Sequence, residues 1–133
     1  MSQEVRVPAE ECLHGGIARV GETVVSGRLR WYRSTSCPDC GNVEEDGIGM
    51  PPEEVRKLIL NEGGHWDVVA QEANGAAAIK VVKGALNLSN VEAVEQLRRF
   101  PIVFRGTLTE AEWLREKLSA SSIEASIVKA VGS

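Results

Sequence analysis

Histidine, tyrosine, phenylalanine and methionine are scarce in these 133 residues, which hold two, one, two and two of them respectively. With only His14 and His65, and with no nucleophile elbow, phosphate-binding glycine loop or helical metal-protease pair, no catalytic set assembles and a non-enzyme is expected. The neighbouring acids Glu44, Glu45 and Asp46 lie among glycines, where they read as solvated surface and not as an acid–base pair. Apolar runs last only a few residues, against the roughly 20 needed to cross a bilayer. The opening MSQEVRVPAEE has no apolar signal core, so a cytoplasmic protein away from membranes is expected. Positive charge is also lacking. A net charge of −4 speaks against a chain devoted to neutralising a phosphate backbone, although local basic patches are compatible with it.

Cysteine is present three times, an odd number that excludes a complete disulfide framework. Cys37-Pro38-Asp39-Cys40-Gly41 places two thiols on a tight turn, the pattern of a zinc knuckle. Upstream, Cys12 and His14 supply the two further donors of a Cys3His site, and His65 is a spare candidate. A closed set of four ligands leaves no position for a water, so zinc here is expected to be structural. Residues 12–50 carry few large apolar side chains, and a metal could add on the order of 10 kcal/mol of folding free energy. The alternatives are a redox dithiol and plain thiols. The first needs a helix start after Cys37, whereas Gly41-Asn42-Val43-Glu44-Glu45-Asp46-Gly47 is a poor helix former whose acids disfavour a thiolate.

Around these donors, Ala18 to Val20 and Thr23 to Val25 read as strands joined at Gly21, followed by a turn at Ser26-Gly27 and a strand over Arg28 to Arg33. That last stretch interleaves arginines with Trp31 and Tyr32, a composition that grips phosphates and stacks bases. Glu44, Glu45 and Asp46 are near enough to balance it. After Pro51-Pro52, the segment from Glu53 to Leu60 has acids in its first turn, Val55, Leu58 and Ile59 on one face, and Gly63-Gly64 beyond it. This predicts a short linking helix packed between two halves.

From Trp66 the pattern predicts strand, helix, helix, strand, helix, strand. Trp66 to Ala70 is a short β-branched run, and Ile79, Val82 and Leu86 line one helix face with Lys80 and Lys83 elsewhere. Ser89 and Glu92 form a capping box for a helix presenting Val94 and Leu97 inward, stopped by Pro101. Ile102 to Arg105 is the next strand. Thr109 and Glu112 suggest a second capping box, on a helix burying Leu114 and Leu118, and Ile123, Ala125 and Ile127 alternate as a final strand. Trp31, Trp66 and Trp113 are expected in the core or at a domain interface, with Trp113 half exposed on its helix as a variant of that reading. The fold class is thus α+β: a zinc-ribbon-like hairpin unit over 1–50, a linking helix over 51–64, and a β-α-α-β-α-β domain over 65–133 with a three-stranded antiparallel sheet and helices on one face.

WDVV at 66–69, IKVVKGALNL at 79–88, VEAVEQL at 91–97, Pro101, Gly106, TEAEWL at 109–114 and IEASIV at 123–128 together resemble the C-terminal domain of the bacterial ribosomal stalk protein, over about half of the chain. The resemblance implies the same β-α-α-β-α-β fold and a surface on the first two helices that captures GTPase factors. On that surface Ile79 and Lys80 stand at matching positions, Lys83 replaces an arginine and Gly84 is kept. Gly75 and Ala76 stand for a lysine and a larger aliphatic, and Val91 and Val94 for two more lysines. The stalk protein's dimerisation region and hinge have no counterpart, so a stalk subunit is not expected. The Clp protease adaptor shares this broad fold group, but Gln71-Glu72-Ala73-Asn74 does not match its amine-binding segment.

The expected function is a protein-interaction or adaptor protein with a structural zinc site at Cys12, His14, Cys37 and Cys40 and a partner surface at Ala76, Ile79, Lys80 and Lys83, its partner unidentified. The alternatives are a nucleic-acid-binding zinc ribbon using Arg28, Arg30, Trp31, Tyr32 and Arg33, and an immunity protein that neutralises a toxin.

Overall fold

The computed structural model describes residues 1–9, 15–39, 41–70 and 75–130. It is α+β, with two antiparallel sheets and four helices among the described residues, and it divides into two units, Met1–Gly63 and Gly64–Ser133.

The first unit is a four-stranded meander of β1 (Ser2–Pro8), β2 (Ile17–Val25), β3 (Arg28–Cys37) and β4 (Gly41–Ile48), in that spatial order, followed by helix α1 (Glu53–Gly63). It is wider than the hairpin expected from sequence. Strand β2 runs straight through Gly21, which pairs with Glu4 on one side and Tyr32 on the other. Pairing on both sides keeps Gly21 in the strand, and Tyr32 lies over it: a β-carbon there would come within 2.5 Å of the ring's Cζ and Oη. The true reversal is at Ser26 and Gly27, both with positive φ (52° and 76°), the requirement of a tight hairpin turn matching strand twist. Strand β4, read from sequence as an acidic loop, is an edge strand, exposed along nearly its whole length. Charges on an edge block further strand pairing, so its composition suits its place.

One face of this sheet meets α1. Val20, Val55 and Ile59 are buried there, with Val5, Val7, Trp31 and Leu58 packed around them. Burying each of these aliphatic side chains is worth about 1.5–3 kcal/mol, so the small core rests on few residues. Helix α1, expected to link two halves, packs on β1 and β2 within this first unit.

The second unit runs β5 (Trp66–Ala70), α2 (Gly75–Leu86), α3 (Asn90–Leu97), β6 (Ile102–Gly106), α4 (Leu108–Ala120) and β7 (Ala125–Lys129). Strand β5 is central, with β6 and β7 antiparallel on either side and a bulge that leaves Val103 without an opposite residue. Helix α4 packs on all three strands, and α2 packs on α4 and β6. The core is larger than that of the first unit: Val68, Val82, Val103, Ala111, Leu114 and Leu118 have no exposure. On the sheet face that carries Asp67, Arg105 and Val128, Arg105 Nε donates to Asp67 Oδ1 at 2.6 Å and its terminal nitrogen to Oδ2 at 3.0 Å. The hydrogen bonds and charge of Asp67 hold the Arg105 guanidinium more firmly protonated.

Three local expectations need correction. The second capping box uses Thr107 and Glu110, not Thr109 and Glu112: Glu110 N–H donates to Thr107 Oγ1, and Thr107 N–H to Glu110 Oε1. Both S/T-x-x-E frames exist in this stretch, and Gly106 ends β6 early enough for the helix to begin at Leu108. Trp113 lies in the core as expected, but at 7% exposure it is not half open on its helix, and Lys117 Nζ sits 5.2 Å from its ring centre. Helix α3 turns only Ala93 fully inward, while Val94 and Leu97 point out.

Candidate functional site: a helix-pair surface and a cysteine turn

Helix α2 places the four expected partner residues unequally. Ala76 and Lys80 are exposed, Lys83 is half-buried, and Ile79 turns into the core at 9% exposure, leaving Ala76, Lys80 and the edge of Lys83 as surface. Lys83 Nζ donates to Asn90 Oδ1 at the start of α3, which ties the two helices together. An added β-carbon at Gly84 would meet nothing within 4 Å, whereas at Gly75 it would press on the Phe100 ring at 3.1 Å. A lysine in place of Gly75 would therefore crowd that ring.

Helix α3 begins at the Ser89–Glu92 capping box that the sequence predicts, with each residue's backbone N–H donating to the other's side chain. The hydrogen bonds from Ser89 lower the Glu92 carboxyl below its usual range. Beyond the cap, Val91, Val94 and Leu97 are 74%, 51% and 46% exposed. Positions three apart are neighbours on a helix, so these side chains form one slanted apolar ridge. The Arg98–Glu95 pair, 3.0 Å apart, lies alongside it. Sequence reasoning placed two ridge residues in the core. The overlooked signal was Ala93: a small inward residue lets a short helix lie close to its neighbour while its larger side chains face out.

At one end of the first sheet, Pro8, Ile17, Ser36 and Asn42 form a row, and the connections carrying Cys12, His14 and Cys40 leave from that end. Those three residues lie outside the described residues. Cys37 closes β3, pairs in register with Gly41, and is 4% exposed. Among the described residues no group of three or more His, Cys, Asp or Glu could hold a metal, and His65 belongs to the second unit.

Strand alternation divides the arginine and aromatic cluster of β3. Arg33 and Trp31 share the α1 side with Val20, where Arg33 meets Glu45 at 3.0 Å and Glu54 at 3.8 Å. The expected balancing by the acidic segment thus occurs at Arg33. Trp31 covers Gly47, whose β-carbon, if present, would lie 2.5 Å from Nε1. Arg28, Arg30 and Tyr32 face the other way. Tyr32 donates to Glu4 Oε1 at 2.7 Å, and partial burial with the neighbouring carboxylate pushes its pKa up to about 12. A groove of about 680 Å³ between sheet and α1 is lined by Val7, Ala18, Val43, Lys57 and Leu58, with Arg33 engaged by its carboxylates.

No protein-family model, curated protein or solved structure matches the chain. No helix among the described residues is long and apolar enough to cross a membrane.

Proposed function

We propose that this chain is a non-enzymatic interaction protein that docks another protein on the α2–α3 surface of a stalk-like second unit, and that zinc held by Cys12, His14, Cys37 and Cys40 stabilises the first. The observation that carries the docking reading is the ridge of Val91, Val94 and Leu97, exposed by 74%, 51% and 46%, with the Arg98–Glu95 pair alongside it. Apolar side chains rimmed by charge are the composition of a protein-binding patch. The element order β5-α2-α3-β6-α4-β7 supports the likeness to the stalk domain. Replacing two lysines of that family by Val91 and Val94 turns an electrostatic capture surface into a mainly apolar one, so the partner differs from a translation factor in what it offers.

Affinity capture from native lysate with the intact chain tests this reading, run in parallel with Val91→Asp/Val94→Asp and with Lys80→Ala. A protein retained by the parent chain, lost with the double aspartate and weakened by Lys80→Ala is expected. Retention indifferent to both variants overturns the surface assignment. For the metal, one equivalent of zinc per chain by elemental analysis, lost in Cys37→Ser, is expected. A parent chain purified without chelator that carries no metal and gains no thermal stability from added zinc overturns the zinc reading.

A further inference from the structure

The uncovered face of the first sheet, opposite α1, is organised around Tyr32. In register, the row Glu4, Gly21, Tyr32, Asp46 crosses all four strands; the row Arg6, Arg19, Ser34, Glu44 lies to one side, and Arg30 followed by Arg28 to the other. All four arginines are exposed, and none has an ion pair or hydrogen bond among the described residues. Arg6 stands directly opposite Arg19. Like charges facing each other on one sheet face cost stability, and the carboxylate of that row, Glu44, is two strands away from Arg19. Carboxylates concentrate on β4, with Glu4 engaged as acceptor of the Tyr32 hydroxyl. Tyr32 itself is held flat across Gly21 by that bond, an aromatic face fixed between two arginine pairs.

We infer that this face binds a single strand of nucleic acid, one base stacking on Tyr32 while Arg6 and Arg19 on one side, and Arg28 and Arg30 on the other, hold phosphates to either side of it. The arginine rows bracketing Tyr32 are roughly 13 Å apart at about 3.3 Å per residue, a span that an extended single strand can bridge. Stacking on an aromatic ring tolerates any base, and arginines beside it supply charge and planar hydrogen bonding, so the expected selectivity is for strandedness over sequence. A duplex hides its base faces and cannot use Tyr32. The chain's overall −4 charge sets a weak background, so binding depends on this face and falls with salt. Strand alternation leaves Trp31 and Arg33 out of the site and brings Arg6 and Arg19 in.

Fluorescence anisotropy of a labelled ten-nucleotide oligouridylate with the intact chain, at about 50 mM salt and then at rising salt, reads this directly. The expected result is saturable binding, a slope of log affinity against log salt near −0.7 for each phosphate held, and a shallower slope in Arg19→Ala and Arg30→Ala. Tyr32→Ala is expected to bind about tenfold more weakly than the parent, and Tyr32→Phe, which keeps the ring without its bond to Glu4, to lose less than that. Val91→Asp/Val94→Asp should leave this binding unchanged, which separates it from docking on α2 and α3. No binding at low salt overturns the inference. So does equal affinity for a duplex of the same length, or unchanged binding in both arginine variants. Should Tyr32→Ala lose its melting transition, the arginine variants and the duplex comparison decide alone.

Discussion

The two sheets differ in how each is closed on its buried side. The second has three short strands beneath α4, itself in contact with α2, and its core is made of large aliphatics with no exposure, among them Leu114 and Leu118. The first has four longer strands and one eleven-residue helix, with a core of Val20, Val55 and Ile59. Where aliphatics run short, aromatic rings laid over glycines fill the surface: Tyr32 over Gly21 and Trp31 over Gly47. A sheet of this kind depends on a few specific contacts and gains most from an added staple such as a metal. A sheet roofed by several helices has packing to spare and can leave Val91, Val94 and Leu97 for other uses.

The contrast is tested most severely by truncation in the larger core. Leu114→Ala, at a position with no exposure, is expected to cost about 2–5 kcal/mol, read by urea denaturation. Amide exchange should accelerate in α4 and β5 before it does in β2. Uniform acceleration in both units would erase the distinction between them.

Gly21→Ala and Gly47→Ala should cost about 1–3 kcal/mol, because each new methyl group must displace a ring and leave the first sheet overpacked. Partial relief by a second change, Tyr32→Ser with Gly21→Ala, would identify the ring as one obstacle, the Gln3 carbonyl oxygen at 2.7 Å from the added β-carbon being the other. Gly84→Ala meets open space on a helix and should be neutral or slightly stabilising.

A smaller effect separates the two capping boxes. Thr107 and Glu110 have no exposure, whereas Ser89 and Glu92 are in water. Thr107→Ala leaves a buried donor unmatched and is expected to cost about 1–2 kcal/mol. Ser89→Ala should cost less, since solvent replaces the lost bond. Equal losses in thermal denaturation would contradict the burial argument.

Two further effects are spectroscopic or slight. Tyr32, with its folded pKa near 12 above an unfolded value of about 10, stabilises the fold fully below about pH 10, and that contribution disappears as pH rises through 12. Ultraviolet titration of this sole tyrosine should show late ionisation, and Glu4→Gln should bring it earlier. Glu45→Gln removes a half-exposed partner of Arg33 and should change stability by less than about 0.5 kcal/mol, since solvent screens the pair.

The legible parts of the fold were those where one residue type has one structural use. Pro51-Pro52 before Glu53, Ser89 three residues before Glu92, and Ser26-Gly27 between two strand patterns each marked a boundary that the structure keeps. Strands β1 and β4 escaped notice because their alternation is diluted by charge: Glu4 and Arg6 flank Val5, and β4 has a lone Val43 among acids. Thr107 and Thr109 offered two capping frames, and the sequence gives no reason to choose between them. In the candidate sites, Cys37 at the end of a strand was readable from its turn, and Lys80 from its helix phase. Whether Val91 and Val94 are exposed or buried, and the arginine face, were not, because both depend on which side of an element is covered.

Periodicity and caps, being local properties of neighbouring residues, were enough to mark an α+β chain, with helices following Pro52 and Ser89 and a β-branched strand at Trp66. Only packing decided that Gly21 continues a strand beneath a tyrosine, that Ala93 and not Val94 faces inward, and that Arg6 and Arg19 join Arg28, Arg30 and Tyr32 on one face. The reason is physical: a side chain's face follows from backbone phase, but whether that face is buried or open depends on elements distant in sequence.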